Sequence, residues 1–243
     1  IGFAIGPAIL VSVGGVGLTP YLIIAVLMAL ASIPIWLAGP AMSHFSSHDG
    51  PRHSVLAFIR IVPTVTFAAF TFGALEQGTL TLMPIYGIRV GLSEQTAALV
   101  LSAFAAGNIV SQIPLGFLAD RFDRRLLLII CALVGAVAIA MLPLVQGTIL
   151  VMPVIFIFGG VTSGLYTVGL TLLGQRIKGS DLAAANAAFV MMYNFGGLAG
   201  PAIGGVAMQL IPPHGLPLAF SVMTLSFAGV AGWRYFMLKN AAK

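Results

Sequence analysis

Long unbroken runs of apolar residues dominate this chain, and eight of them are separated by charges, prolines and glycines. An apolar helix crosses the hydrocarbon core of a bilayer in about 20 residues. The runs, Gly2–Val16, Pro20–Ala38, Val55–Gly87, Ser93–Phe117, Leu126–Leu144, Ile149–Leu173, Leu182–Leu210 and Leu216–Leu238, therefore predict eight transmembrane helices. The first is short and glycine-rich, and Gly14-Gly15-Val16-Gly17 can be either a loop or a helix end. Continuous runs, rather than alternation over about ten residues, exclude a strand barrel. The third run is longer than a membrane requires. Arg60 and Arg89 bound it, and at 1.5 Å per residue a continuous helix would hold them about 43 Å apart, the spacing of the two headgroup layers. Glu76 lies between them, well away from either interface.

Composition removes the soluble alternatives. Of 243 residues, 59% are hydrophobic and 7% charged, against roughly 45–50% and about 25% in ordinary soluble domains. So few charges cannot coat a water-exposed globule, and a mean hydropathy of +1.08 makes lipid the solvent for much of the chain. The excess of 11 Lys+Arg over 6 Asp+Glu forms no basic stripe of the kind nucleic acid requires. Threading eight helices instead places Arg52, Arg60, Arg121, Arg124, Arg125, Arg176, Lys178, Arg234, Lys239 and Lys243 on the side of both termini, and only Arg89 opposite. That asymmetry follows the positive-inside rule. The termini and the 39–54, 118–125 and 174–181 loops are accordingly expected in the cytoplasm. Cys131 is the single cysteine, so no internal disulfide is possible, and its apolar neighbours predict an inert buried thiol.

Two helices share a pattern. Gly2-x-x-x-Gly6-Pro7-Ala8-Ile9 recurs as Gly196-x-x-x-Gly200-Pro201-Ala202-Ile203, 194 residues later. Such an offset suggests a long internal repeat whose first copy is incomplete here. The expected organisation is the last two helices of one six-helix unit (1–38), a polar linker (39–54) and a complete six-helix unit (55–243). The missing N-terminal helices would complete the molecule.

Between the fourth and fifth runs stands Gly116-Phe117-Leu118-Ala119-Asp120-Arg121-Phe122-Asp123-Arg124-Arg125. It resembles the signature loop of the major facilitator superfamily, Gly-x-Leu-Ala-Asp-Arg-x-Gly-Arg-Arg, found between the second and third helices of each six-helix half. Asp123 replaces the second glycine, so the turn cannot rely on glycine's freedom at positive φ. Gly116 would let a helix end approach a neighbour, Asp120 can pair with arginine or complement a helix N-terminus, and Arg121, Arg124 and Arg125 would hold the loop at an anionic membrane face. Gly196, Gly200, Pro201, Gly204 and Gly205 also fill the family's Gly-x-x-x-Gly-Pro-x-x-Gly-Gly pattern, known chiefly from antiporters. Gly2, Gly6 and Pro7 fill only its first half. Small residues at this spacing also permit close helix packing whatever the function. Within the family, Leu82–Tyr86, Gly159–Tyr166 and Asn186–Pro201 are similar to the YcaD-like group of bacterial transporters.

The resemblance implies an all-α polytopic membrane protein reading as helices five to twelve of twelve. It further implies a substrate site near the membrane midplane and alternating access by rocking of two halves. Polar residues at mid-depth are the candidates. Glu76 leads, because a carboxylate in hydrocarbon is costly and marks a pairing, a proton relay or a ligand site. Gln77 adjoins it. Asn108, Ser111 and Gln112 share one helix face at i, i+3 and i+4. Asn186 and Tyr193 align on the seventh run, Asn194 points elsewhere, and Tyr166 lies at mid-depth on the sixth. Each can serve either as cavity lining or in an interhelical hydrogen bond.

His44, His48 and His53 invite a metal reading, but their Ser/Gly/Pro-rich setting favours a linker. No nucleotide loop, zinc motif or nucleophile turn is present, so no cofactor and no enzymatic activity are expected. The sequence therefore predicts a permease of the bacterial cytoplasmic membrane moving a small organic solute, coupled to protons or another ion. A non-transporting sensor or assembly subunit on the same scaffold is the alternative. Without its first helices the chain is expected not to transport by itself.

Overall fold

The computed structural model describes residues 18–42 and 52–241, and every regular element among them is helical. Contacts divide the chain into two units, residues 1–50 and 51–243. The first contributes α1 (Thr19–Met42). The predicted Gly2–Val16 helix, with Gly2, Gly6 and Pro7, lies outside the described residues, as do His44 and His48 of the linker.

The second unit holds α2 (Ala57–Ile61), α3 (Pro63–Arg89), α4 (Glu94–Arg121), α5 (Arg124–Val145), α6 (Val151–Arg176), α7 (Asp181–Leu210) and α8 (Gly215–Ala241). Helices α4 to α8 are each long and apolar enough to cross a bilayer. Helix α3 is long but more polar, because it carries Glu76, Gln77 and several threonines; its buried positions run from Val65 to Gly87. Large apolar side chains remain on the outside of the bundle, among them Leu144, Ile149 and Leu198, each at least 75% exposed. Water would not tolerate that surface, whereas lipid tails solvate it.

Two expectations need correction. The third run is not one helix: the chain breaks at Val62 (φ −125°, ψ 55°), and Pro63 opens α3 at its first position. Proline has no N–H to continue the hydrogen-bond ladder of α2 and its ring clashes with the preceding turn, but it is well suited to helix position N1. The 118–125 loop also shrinks to two residues, since α4 continues through Arg121 and α5 begins at Arg124. Asp123 sits at φ −59° and caps α5, its carboxylate accepting from the backbone N–H of Arg125 (2.8 Å) and Leu126 (3.3 Å). An aspartate thus closes the turn without any left-handed residue, by satisfying two of the donors that a helix start leaves free.

In lipid, helices gain no hydrophobic advantage from meeting one another, so they associate by close van der Waals fit, which small residues permit. Two seams show this. On α3 and α7, a Cβ at Gly196 would collide with the Phe70 backbone, one at Gly200 with Ala74, and one at Gly73 with Tyr193. On α4 and α6, Gly107 abuts the Phe156 backbone and Gly159 that of Phe104. The Gly-Pro pattern of α7 is therefore a packing surface against α3, although Gly205 at its end faces open space. Gly116 differs from expectation as well. No described atom lies within 4 Å of where its Cβ would stand, so it admits no neighbouring helix here.

The antiparallel helices leave two distinct ends. At one, Arg124 donates to Asp120 (3.2 Å) and to the Ala119 carbonyl (2.9 Å). A cavity of about 540 Å³ there brings Arg124 and Arg125 near Arg176. The backbone N–H of Arg52 and the ring of His53 meet Asp181 at the same end, at 2.7 and 3.1 Å. His53 thus has a carboxylate partner, and no metal-ligand cluster occurs among the described residues. At the other end the Tyr86 hydroxyl donates to Gln146 (3.2 Å) and lies 3.3 Å from His214 Nδ1. Arg89 closes α3 at that end.

Candidate functional site

Midway along α3, Glu76 projects between α4, α6 and α7. The close seams place its partners: because Gly73, Gly196 and Gly200 remove the bulk between α3 and α7, Tyr193 of α7 donates its hydroxyl to Glu76 Oε2 at 2.7 Å. Asn108 of α4 points its amide at the other oxygen, Oε1, at 3.5 Å. Gln112, one turn further along α4, donates to Asn108 Oδ1 at 3.4 Å. The result is a short chain, Gln112 to Asn108 to Glu76, joined from the other side by Tyr193.

These groups line a cavity of about 270 Å³ together with Phe72, Ser163, Tyr166 and Thr167. Phe72 stands one turn before Glu76 on the same face of α3, while Ser163, Tyr166 and Thr167 share one face of α6. Phe72, Tyr166 and Tyr193 also touch one another, with ring centroids 5.5 to 5.9 Å apart. Tyr166 is wedged against Phe189 on its far side, at 5.1 Å. Aromatic packing on two sides fixes its ring beside the carboxylate.

Glu76 differs from every other described carboxylate in its partners. Among the described residues it forms no ion pair, and both its hydrogen-bond donors are neutral. A charge held at mid-depth by neutral donors alone is costly in an apolar medium. Protonation, a coupling ion or a charged ligand would relieve that cost.

Of the residues singled out in the sequence, the structure unites Glu76, Asn108, Gln112, Tyr166 and Tyr193 at one cavity. Others stay outside it. Gln77 is turned about 100° from Glu76 on the helix, and its side chain lies against Gly197 of α7. Asn194 is exposed and donates to the Val190 carbonyl at 2.8 Å. Asn186, two turns before Tyr193, is also exposed. Ser111 packs against Gly160 at the α4–α6 seam. Phe72, Ser163 and Thr167 were not anticipated. For Phe72, the four-residue spacing from Glu76 was the available signal.

Comparison with known proteins bears on the chain as a whole. Residues 65–243 match the family model described as Major Facilitator Superfamily. The chain is 27% identical, over 95% of its length, to the uncharacterized MFS-type transporter YfkF of Bacillus subtilis (strain 168), covering 60% of that protein. It is 28% identical, over 76% of its length, to an uncharacterized MFS-type transporter of Yersinia pestis (strain Pestoides F), covering 48% of that protein. A further match, 31% identical over 53% of this chain and 33% of the relative, is an uncharacterized MFS-type transporter of Enterobacter sp. (strain 638). No solved structure matches.

Proposed function

The chain belongs to the major facilitator superfamily, and on that premise we propose that it serves in a secondary transporter. It would move a small organic solute by alternating access, coupled to protons. One observation carries the reading: a single carboxylate, Glu76, stands at the meeting of four helices, held only by the neutral groups Tyr193 and Asn108, at the wall of a cavity. A group so placed can take up a proton or a ligand on one side of the membrane and surrender it on the other as access alternates. Helices α3, α4, α6 and α7 would then line the pathway, facing a second six-helix half across it.

The same proposal covers organisation and orientation. Residues 1–38 belong to one six-helix bundle and 55–243 to the other, joined by the linker 39–54; the compact unit that begins at residue 51 supports the division. The end carrying Arg121, Arg124, Arg125, Arg176 and Lys178 faces the cytoplasm of a bacterial inner membrane, where anionic lipids favour it. Membership of the YcaD-like group rests on the Leu82–Tyr86, Gly159–Tyr166 and Asn186–Pro201 stretches.

Transport is tested by reconstituting the complete protein in proteoliposomes, imposing a pH gradient and following sugars, amino acids and organic cations across the membrane. Gradient-driven accumulation or expulsion of one class is the expected result. Absence of any solute or proton flux would instead favour a sensor or assembly subunit on the same scaffold.

A further inference from the structure

We propose that the cavity beside Glu76 selects a compact organic cation, with a substituted ammonium group seated between the carboxylate and the faces of Phe72, Tyr166 and Tyr193. The inference rests on the transport reading and names its substrate class.

What a ligand would meet in this cavity decides its chemistry. Many of the hydrogen-bond donors around it are already engaged internally. The Tyr193 hydroxyl and one Asn108 amide hydrogen go to Glu76, one Gln112 amide hydrogen goes to Asn108, and the Ser163 hydroxyl donates to the Gly160 carbonyl at 2.7 Å. The groups left to receive a ligand are the hydroxyls of Tyr166 and Thr167, the second amide hydrogens of Asn108 and Gln112, the carboxylate oxygens and the aromatic rings, and of these only the carboxylate can carry a full charge. Among the described residues, neither Lys, Arg nor His lines the cavity. An anion would find no cationic partner among them.

Ring geometry narrows the choice further. Tyr166 is inclined at 54° to Phe72 and at 74° to Tyr193, with centroids 5.5 and 5.7 Å apart. Phe72 and Tyr193 lie within 27° of parallel and Tyr166 stands across both, so the three rings form a corner rather than one flat platform. A rounded alkylammonium head can instead meet several ring faces, each presenting the negative lobe of its quadrupole. Glu76, when ionised, supplies a full negative charge for the ammonium group. The cavity volume, about 270 Å³, falls just below the range of small-molecule sites, roughly 300 to 1,000 Å³. It suits a compact cation.

The test uses the complete purified protein and three probes, tetramethylammonium, choline and benzyltrimethylammonium. Each is paired with the neutral molecule in which carbon replaces the ammonium nitrogen, for choline 3,3-dimethyl-1-butanol. Titration calorimetry and the shift in melting temperature give the affinities. At least one cation should bind about tenfold more tightly than its neutral counterpart. Tyr166→Leu should erase most of that preference and Tyr166→Phe, which keeps the ring face, should restore it, with melting temperature confirming that both variants fold. Equal affinity for all three cation and neutral pairs, or a cation preference that Tyr166→Leu leaves intact in a folded variant, would overturn the inference. The two readings fail separately. Gradient-driven transport of a neutral or anionic solute without cation preference would sink the cation site alone, whereas cation preference without any flux would sink the transport reading alone.

Discussion

The mid-depth cavity and the basic end of the bundle use the same acidic chemistry in opposite ways. At the basic end, Asp120 pairs with Arg124, Asp123 caps α5 through two backbone N–H groups, and Asp181 takes the backbone N–H of Arg52 together with the His53 ring. Each of these carboxylates joins elements where water and headgroups are near. Glu76 stands in the middle of α3, with a phenol and an amide as its partners. Carboxylates that meet cations or free helix donors explain themselves structurally, as does exposed Glu94 in the first turn of α4, while a carboxylate at mid-depth without such a partner calls for something that comes and goes.

The largest effect expected from breaking this contrast falls on the seam that brings Tyr193 to Glu76. Gly200→Val would drive two methyl groups into the Ala74 backbone, and overpacking of this kind costs about 1–3 kcal/mol or more. It should lower the melting temperature in detergent and abolish transport together. A variant that kept both would show that α3 and α7 are not held by this close approach.

Tyr193→Phe sharpens the comparison more gently, because it keeps the ring and removes only the hydroxyl that donates to Glu76. Hydrogen bonds to a charged group contribute about 1.5–3 kcal/mol. We expect the variant to fold, to keep the corner of rings, and to shift the pH dependence of transport, since the ionised form of Glu76 loses its closest donor. An unchanged pH profile would mean that Glu76 does not set it.

At the basic end the expected effects are smaller and confined to stability. Asp123→Ala removes the α5 cap and should cost about 1 kcal/mol, whereas Asp123→Gly, which installs the residue usual in the family, should cost only a few tenths. Melting temperatures of the two variants check the order. The reverse order would show that the cap is not what Asp123 contributes.

How much of this was legible beforehand follows from how each feature is encoded. Long apolar runs and the signature between α4 and α5 are local properties, and both reappear in the helices and in the family match. The isolation of Glu76 was equally legible, because a lone acid within 27 helical residues has nowhere else to lie. The break before Pro63 was written in the sequence, and the length of the apolar run obscured it. Partner choice was not legible. Phe72 is one of 16 phenylalanines, and its place at the cavity depends on which face of α3 meets α6 and α7. Gln77 adjoins Glu76 in the sequence, yet its direction on the helix carries it to Gly197. Asn186 and Asn194 carry chemistry similar to that of Asn108, and only the packing of α7 against α3 separates them from the cavity.

The account depends most on Glu76 being the group through which solute and proton movement are linked. The most direct measurement is solute-driven proton movement in proteoliposomes of the complete protein, comparing the wild type with Glu76→Gln at matched melting temperature. The account predicts that the wild type moves protons when solute is supplied and that the folded Glu76→Gln variant moves none. Undiminished proton movement in that variant would contradict it.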